Sequence, residues 1–318
     1  HPDFYYVDPE TGEVSNGRND HNEATDWTDV AELDYSNLEM QEAMRQDMLY
    51  WLEQFHIDGF RCDMAGGQTE AFWSETIQAL RDHSPEIFML AESNFPQMHD
   101  VGFDATYGWE FHHLINEVAR GDKGTDELHQ YILRDADKFP KDSYRLLFID
   151  NHDENSWNGT VASRLGNNAH AAYVLCATLP NAIPLIYSGQ EVGLNHSLRF
   201  FERDTIDWSL DSQADFYGLM NQLNSTLPAL ANGANGGSYQ AITSNQHRVF
   251  AFARKTQDRD VVMVVNFSAK DQDITIEGAP SGNYHDAFTG EGMRLSADES
   301  SLFLPAHGYA LLVNDGGH

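Results

Sequence analysis

The stretch Ile57-Asp-Gly-Phe-Arg-Cys-Asp63 sets the pattern from which the fold of this chain can be predicted. It is a short apolar run that ends in charged residues and follows a helical pattern over 38–56. The next such run, Ile87-Phe-Met-Leu-Ala-Glu92, follows a helical pattern over 69–82. Short continuous apolar runs between amphipathic helices are typical of buried parallel strands. The alternation therefore predicts an α/β fold with a parallel sheet.

The alternation of helices and strands continues to about residue 230. Further strands are predicted near 105–110, 144–151 and 183–188, and further helices up to about 137 and over 167–178 and 212–230. Three strands end in an acidic residue, namely Asp63, Glu92 and Asp153. Glu92 follows Asp63 by 29 positions, and Asp153 follows Glu92 by 61. A (β/α)8 barrel uses about 30 residues for each unit, so the spacings fit one unit and two. A doubly wound sheet gives the same alternation, and spacing alone leaves both architectures open.

The pattern changes after the glycine- and asparagine-rich stretch that ends at Gly237. Beyond it, short apolar runs without a helical period predict strands over 248–254, 261–267, 273–277, 302–304 and 309–313. Turn residues separate these runs, which is typical of a small antiparallel β-sandwich. We therefore predict three segments: a loop-rich part over 1–36, a β/α part over 37–232 and a C-terminal β-domain over 238–315.

The charge balance excludes several classes of partner. Asp and Glu number 50 against 19 Lys and Arg, which gives a formal net charge of −31. Such a charge argues against a nucleic-acid backbone or an anionic membrane surface as partner. It fits an ordinary acidic surface or an adaptation to high salt, and composition does not separate the two. Because 41% of the residues are hydrophobic, the chain has enough apolar material for a sizeable core, and disorder is excluded.

Hydropathy and cysteine content bear on the compartment. The chain has no run of 18 or more apolar residues, so we expect a soluble protein. The residues that follow His1 lack the basic and apolar regions of a signal peptide. The compartment stays open, with a secreted or periplasmic location preferred. Cys62 and Cys176 lie in apolar runs, which predicts two buried free thiols.

The acidic residues at the strand ends are the candidates for catalysis, because charge at the carboxyl ends of barrel strands faces the active site. Arg61 and Asp63 are two apart on one strand and share a face, so the guanidinium can hold the carboxylate ionised and oriented. A nucleophile needs this arrangement. Glu92 follows an apolar strand, where desolvation would raise its pKa and suit it to act as an acid. Beside Asp153, His152 can donate a hydrogen bond.

Each of these residues also has a purely structural interpretation. Asp63 and Asp153 are of a type that caps helices, and each precedes a predicted helical segment. Glu92 can be half of a buried ion pair, and His152 can be a core histidine with its hydrogen bonds satisfied. Three such acids at the same end of one sheet, one of them with an arginine partner, weaken these alternatives when taken together.

Five motifs, taken in order, resemble those of the α-amylase family of glycoside hydrolases, family 13. They are Ala31-Glu-Leu-Asp-Tyr35, Gly59-Phe-Arg-Cys-Asp63, Met89-Leu-Ala-Glu92, Ile149-Asp-Asn-His-Asp153 and Ile183-Pro-Leu-Ile-Tyr-Ser-Gly-Gln-Glu191. Any one motif is weak, but five at the right spacing are highly specific. The resemblance implies a TIM-type (β/α)8 barrel, incomplete in this chain with about strands 4–8 present, and a C-terminal antiparallel β-sandwich.

The resemblance also implies an activity, the retaining hydrolysis of α-1,4-glucosidic bonds in starch or maltooligosaccharides. Asp63 matches the nucleophile and Glu92 the general acid/base of the family. Arg61, His152 and Asp153 match residues that bind the substrate and stabilise its distorted form.

Aromatic side chains can stack on the faces of sugar rings, although core packing is the commoner use of each one. The candidates are Tyr107, Trp73, Trp109, Trp157 and Phe201. Trp157 is the strongest substrate-binding candidate, because it follows Asp153 by four residues in a loop rich in Gly and Asn. Glu191, at the end of the strand that resembles the eighth of the family, is a further candidate for lining the cleft.

The chain departs from the family pattern in two places. The first family motif and the strands before it are absent, so we expect that an N-terminal piece was removed, that a complementing chain supplies it, or that a homodimer closes the barrel. The Lys-His pair that often follows the fourth-strand motif is replaced by Ala65-Gly-Gly67. Because that pair helps to bind calcium and substrate in the family, no structural calcium is expected, and no other cofactor is implied.

Three functions remain open from the sequence. The first is a hydrolase acting on an α-glucan or a maltooligosaccharide. The second is a glucan transferase that uses the same residues and excludes water from the acceptor site. The third is a non-catalytic, amylase-like chain that only binds glucan. The missing first motif supports this function, whereas the intact carboxylates argue against it.

Overall fold

A computed structural model of the 318-residue chain describes residues 1–19, 23–210 and 212–316. The chain divides into two compact units, His1–Tyr107 and Gly108–His318. The helices are α1 (Leu38–Phe55), α2 (Glu70–His83), α3 (Gln97–Asp100), α4 (Trp109–Arg120), α5 (Asp126–Lys138), α6 (His152–Trp157), α7 (Val161–Leu165), α8 (Ala169–Thr178) and α9 (Ala214–Thr226). The first five strands are β1 (Gly59–Cys62), β2 (Phe88–Ala91), β3 (Ala105–Tyr107), β4 (Tyr144–Leu147) and β5 (Ala182–Pro184).

The first unit is built around three parallel strands. β1 pairs with β2 so that Cys62 lies opposite Ala91, and β2 pairs with β3 so that Leu90 lies opposite Ala105. Helices α1 and α2 begin where capping side chains satisfy their first amides. The Asn37 carboxamide accepts hydrogen bonds from two backbone amides of α1, and the Thr69 hydroxyl accepts one from α2. Apart from a short 3-10 turn, the described part of 1–36 is loop with isolated bridges.

The second unit begins with the remaining parallel strands and their helices. β4 pairs with β5 in parallel, with Leu146 opposite Ile183. Residues 171–178 of α8 are all buried, which explains why this segment is apolar all round rather than amphipathic. Among the residues that the structure describes, the β/α part therefore has five parallel strands, three in the first unit and two in the second, as the sequence predicted.

The C-terminal part of the second unit is an eight-stranded antiparallel sheet. Its strands are β6 (Ser238–Ser244), β7 (Val249–Lys255), β8 (Val261–Asn266), β9 (Gln272–Glu277), β10 (Gly282–Asp286), β11 (Gly292–Leu295), β12 (Ser300–Leu304) and β13 (Tyr309–Asn314). The strand order is β11-β10-β13-β8-β7-β6-β9-β12. Along β7, Val249 and Ala251 enter a core within the β-domain, whereas Phe250 and Phe252 enter a core shared with α4, α5, α8 and α9. Both faces of the central strands are buried, so they read as continuous apolar runs.

Arg254 fastens this sheet to the rest of the second unit. Its guanidinium is almost completely buried and donates to the backbone carbonyls of Gly237 at 2.7 Å, Thr178 at 3.0 Å and Ala231 at 2.7 Å. Burial lowers the pKa of Arg254 to about 10. The glycine-rich stretch around 232–237 is therefore held in place by hydrogen bonds.

Several predicted boundaries need correction. The strand predicted over 105–110 ends at Tyr107, because α4 begins at Trp109. The helical pattern up to 137 is two helices, broken at Gly121, which adopts φ +87° and ends α4. The strand predicted over 144–151 ends at Leu147, and the one predicted over 183–188 is only Ala182–Pro184. The helix predicted over 212–230 ends at Thr226, where a 3-10 turn at Pro228–Leu230 follows.

Two further observations concern membrane-spanning helices and the two cysteines. Within the described ranges, no helix is both long enough and apolar enough to cross a membrane. Cys62 and Cys176 are both buried and free, as predicted. Burial raises the pKa of the Cys62 thiol to about 12, although the charge of Arg61 acts in the opposite direction.

Candidate active site

Two acidic residues leave the first unit's sheet side by side. Asp63 directly follows β1 and Glu92 directly follows β2. The two strands are in register at their ends, and the Glu92 amide donates to the Cys62 carbonyl at 2.9 Å. Parallel pairing therefore brings together two carboxyl groups that are far apart in sequence.

Arg61, on β1, links these carboxyl groups. One terminal nitrogen, Nη1, contacts Asp63 Oδ1, and the other, Nη2, lies 2.9 Å from Glu92 Oε2. Its Nε donates to the hydroxyl of Tyr107, on β3, at 3.1 Å. Burial lowers the pKa of Arg61, but Glu92 and then Tyr107 raise it by more, so the guanidinium stays charged. Side chains from three adjacent strands thus converge on one cation.

The environments of the two carboxylates differ. The Asp63 side chain is 72% exposed, whereas that of Glu92 is 12% exposed. Besides Arg61, the backbone amide of Met64 donates to Glu92 Oε2 at 2.9 Å. Both donors stabilise the ionised form of Glu92. Glu92 is therefore half of an ion pair in this structure, as its structural interpretation has it. To act as an acid, Glu92 must take up a proton despite these two donors.

The capping interpretation of the two aspartates is wrong. Thr69, not Asp63, caps α2. Asn151, not Asp153, caps α6, and its Oδ1 accepts hydrogen bonds from the amides of Asp153 at 3.0 Å and Glu154 at 2.8 Å. Both aspartate side chains are consequently left for other contacts.

In the second unit, His152 and Asp153 lie on the outer side of α6. Their side chains are 45% and 33% exposed, and His152 Nε2 lies 3.3 Å from Asp153 Oδ2. His152 is therefore not a core histidine.

Trp157, at the end of α6, belongs to an exposed aromatic cluster that we define as Trp157, Phe200 and Phe201. The ring centroids of Phe200 and Phe201 lie 5.3 Å and 6.1 Å from that of Trp157 and 5.0 Å from each other. The three residues are 60%, 42% and 67% exposed. The Phe200 ring also stacks beside His152, with centroids 6.4 Å apart. Phe200 belongs to no motif in the sequence, and its only signal there is that it directly precedes the aromatic candidate Phe201.

The other aromatic candidates have structural contacts. Trp73 is buried and its indole donates to the Ala65 carbonyl at 2.9 Å. Tyr107 is buried and accepts the hydrogen bond from Arg61. Trp109 packs edge-on against Phe148, with ring centroids 5.0 Å apart. These three residues serve core packing and support rather than an open stacking surface.

Glu191 lies in a 3-10 turn after β5, and its Oε2 accepts a hydrogen bond from the amide of Gly189 at 2.8 Å. Its carboxylate is thus engaged within its own turn. Among residues 1–19, 23–210 and 212–316, no group of three or more His, Cys, Asp and Glu is arranged to hold a metal ion. The expectation that calcium is not bound stays a prediction.

Comparison with known proteins identifies the family. The model of the family described as "Alpha amylase, catalytic domain" matches residues 14–224. The chain belongs to the α-amylase family. A second family model, "Maltogenic Amylase, C-terminal domain", matches residues 239–311 of this α-amylase family member. The resemblance seen in its motifs is thereby confirmed.

Curated relatives of this family member are amylases and related enzymes. Alpha-amylase 2 of Dictyoglomus thermophilum is 27% identical over 76% of the chain and 44% of the relative. Alpha-amylase MalA of Haloarcula japonica is 26% identical over 87% of the chain and 42% of the relative. Neopullulanase 2 of Thermoactinomyces vulgaris is 26% identical over 90% and 50%. The chain spans about half the length of the curated relatives that it matches.

Solved structures show the fold. The maltogenic α-amylase AmyB from Thermotoga neapolitana superposes with a TM-score of 0.83 at 22% identity, over 99% of this chain and 72% of that one. An α-amylase from Lactobacillus plantarum gives a TM-score of 0.80 at 20% identity, over 98% and 73%. These matches decide between the two architectures that spacing left open. The chain has the fold of part of an amylase barrel followed by the C-terminal β-domain, as predicted.

Proposed function

We propose that this α-amylase family protein hydrolyses α-1,4-glucosidic bonds in starch or maltooligosaccharides with retention of configuration. The observation that carries the proposal is the contact of one guanidinium, that of Arg61, with both Asp63 and Glu92. Retaining glycosidases hold their two carboxyl groups about 5–5.5 Å apart, whereas inverting ones leave room for a water molecule between them. A shared guanidinium favours the short separation.

In the first step, the Asp63 carboxylate attacks the anomeric carbon of the glucosyl residue. The bond from that carbon to the leaving oxygen breaks as Glu92 donates a proton to this oxygen. The product is a glucosyl ester of Asp63 and a shortened glucan. Exposure of Asp63 leaves its carboxylate accessible to a sugar, and the contact with Arg61 orients it.

In the second step, Glu92, now a carboxylate, removes a proton from a water molecule. The resulting hydroxyl attacks the anomeric carbon, the ester bond to Asp63 breaks, and both side chains return to their starting states. Arg61 and the Met64 amide stabilise the carboxylate form of Glu92 that this step requires. His152 and Asp153 are proposed to bind the sugar hydroxyl groups and to favour the cation-like transition state.

A second candidate function is transfer of the glucosyl group to another sugar. The exposed aromatic cluster favours it, because three rigid rings beside His152 offer an apolar surface on which an acceptor sugar can stack. Transfer uses the same first step, and a sugar hydroxyl replaces water in the second.

The proposal is tested with Asp63→Asn and the matched control Asp58→Asn, which changes an exposed aspartate just before the other end of β1. The protein is incubated with maltoheptaose, and the product anomers are followed by proton NMR. We expect α-anomers first, loss of turnover by at least about 10³-fold in Asp63→Asn, and no loss in Asp58→Asn. β-Anomers as first products, or full activity of a folded Asp63→Asn protein, would refute the proposal. A folded protein that binds glucan without turnover would favour the non-catalytic alternative.

A further inference from the structure

Four ionisable side chains form two buried pairs at α6 and the residues just before it. His112, from α4, pairs with Glu154 on α6, and their Nε2 and Oε2 atoms lie 2.9 Å apart. Arg164, from α7, pairs with Asp150 at 2.6 Å between Nη2 and Oδ1. All four side chains are less than one-tenth exposed.

The pairing of His112 and Glu154 is fixed from several sides. His112 Nδ1 lies 3.2 Å from the carbonyl oxygen of Phe148, and since a carbonyl only accepts, Nδ1 carries a proton. The remaining ring nitrogen therefore faces the Glu154 carboxylate. The second carboxylate oxygen of Glu154 accepts from Asn158 Nδ2 at 3.0 Å. Burial raises the pKa of Glu154, but His112, with further help from Asn158 and Arg164, lowers it by more, so the ionised form of this carboxyl group is favoured.

Helix α6 depends on these contacts because it has little else to hold it. It has only six residues, and an isolated helix of that length is not stable in water. Its buried members are Glu154 and Asn155, both polar. Asn155 Oδ1 accepts from the Leu198 amide at 2.8 Å, which ties α6 to the segment that carries Phe200. The helix is attached by buried polar contacts rather than by an apolar face.

The two sides of α6 therefore have separate tasks. Glu154 and Asn155 face inward, while His152 and Asp153 on the preceding positions face solvent. We propose that Glu154, through its pair with His112, is a positioning residue that sets the placement of His152 and Asp153 for the reaction. This inference rests on the function proposed above, and it predicts that loss of the pair impairs the chemical step rather than only the stability.

The test compares Glu154→Gln with Asp135→Asn in the otherwise unchanged protein. Asp135 forms a largely buried ion pair in the same unit, with Arg145 at 3.4 Å, and its side chain is 16% exposed. Arg145 lies on β4, several residues before the segment that carries His152. Both substitutions remove a charge and keep the side-chain shape. We expect Glu154→Gln to lower kcat by about 10-fold to 100-fold with KM changed less than about threefold. Asp135→Asn is expected to lower the melting temperature without changing kcat.

Two further measurements keep the inference testable if Glu154→Gln folds poorly or the protein proves inactive. Asn158 is exposed, and Asn158→Ala removes only its hydrogen bond to Glu154. We expect this variant to lose less kcat than Glu154→Gln does. Hydrogen exchange of the amides over 153–158 reports anchoring without any activity, and we expect faster exchange there in Glu154→Gln but not in Asp135→Asn. Unchanged exchange over 153–158, or a Glu154→Gln protein that loses stability but keeps its kcat, would overturn the inference. Absence of turnover in the unsubstituted protein would instead overturn the proposed function.

Discussion

Arg61 Nη2 lies 2.9 Å from Glu92 Oε2, and this contact joins two neighbouring strands at the end where their acidic residues emerge. The same guanidinium contacts Asp63 through Nη1. A planar cation with two donors in one plane can hold two carboxylates at once, which a lysine ammonium cannot do with the same geometry. Arg61 is therefore the residue on which the placement of both proposed catalytic groups depends.

Replacement of Arg61 by lysine is expected to lower kcat/KM by about 100-fold or more, because the fork that orients both carboxylates is lost while the charge remains. The control is Arg81→Lys, since Arg81 pairs with Asp104 at 3.0 Å in the same unit without touching Asp63 or Glu92. That control should retain kcat/KM within about twofold. Steady-state kinetics on a maltooligosaccharide glycoside measure both, and equal losses in the two variants would contradict the role given to Arg61.

Trp157→Ala is expected to weaken transfer to an added sugar acceptor by about tenfold, or about 1.4 kcal/mol, while hydrolysis falls less. The reason is that an acceptor can stack on the exposed cluster, whereas water gains nothing from it. Phe303→Ala is the control, because Phe303 is 59% exposed on β12 of the C-terminal sheet. Chromatography of the products gives the ratio of transfer to hydrolysis. An unchanged ratio in Trp157→Ala would remove the support for an acceptor site at the cluster.

Asp150 predicts a pH dependence of stability. Burial raises its pKa to about 6 from 3.8, and Arg164 opposes this only in part. Because the folded-state pKa lies above the unfolded one, the folded protein binds more protons between about pH 4 and pH 6. The stability that this group contributes is thus fully present below about pH 4 and is lost as the pH rises through about 6, by at most about 3 kcal/mol.

The measurement is the free energy of unfolding of the unsubstituted protein and of Asp150→Asn at several pH values from 4 to 7. The stability of the unsubstituted protein relative to the variant should fall as the pH rises over this range. A relative stability that grows with pH would show that the pairing with Arg164 outweighs burial.

Arg254→Met is expected to lower the free energy of unfolding by about 3 kcal/mol or more, because two buried carbonyl groups and one part-buried carbonyl group lose their donor. Arg259→Met is the control in the same β-domain, since Arg259 is exposed and donates to a single carbonyl, that of Asn314, at 3.0 Å. That variant should stay within about 0.5 kcal/mol. Denaturant unfolding followed by circular dichroism distinguishes the two. Equal stability of both variants would contradict the fastening role of Arg254.

The positions of Asp63 and Glu92 at strand ends could be predicted because parallel strands present their carboxyl ends at one edge. The register that places Cys62 opposite Ala91 could not be predicted. Strands of only four residues carry too little pattern to exclude a pairing that is shifted by one residue. For the same reason, the contact of Arg61 with Asp63 was predicted from sequence spacing, and its contact with Glu92 was not.

Contacts between segments that are distant in the chain could not be predicted from the sequence either. His112 lies on a helix far upstream of Glu154, and neither residue belongs to a motif, so nothing in the local pattern points to their pairing. Strand β10 was not predicted, because it contains the polar residues Asn283 and His285 and lacks a clear alternation of apolar and polar residues. Its pairing with β11 and β13 holds it in the sheet. Such strands are fixed by tertiary pairing rather than by their own composition.

The central claim, that Asp63 is the nucleophile of a retaining reaction, is tested most directly by trapping the covalent intermediate. The protein is treated with a 5-fluoro-α-glucosyl fluoride, digested, and analysed by mass spectrometry, since the fluorine slows breakdown of the glycosyl ester while fluoride leaves readily. We predict a fluoroglucosyl group on the peptide that contains Asp63 and on no other carboxylate. A label on Glu92 or Asp153, or turnover of the reagent without any label on Asp63, would contradict the account.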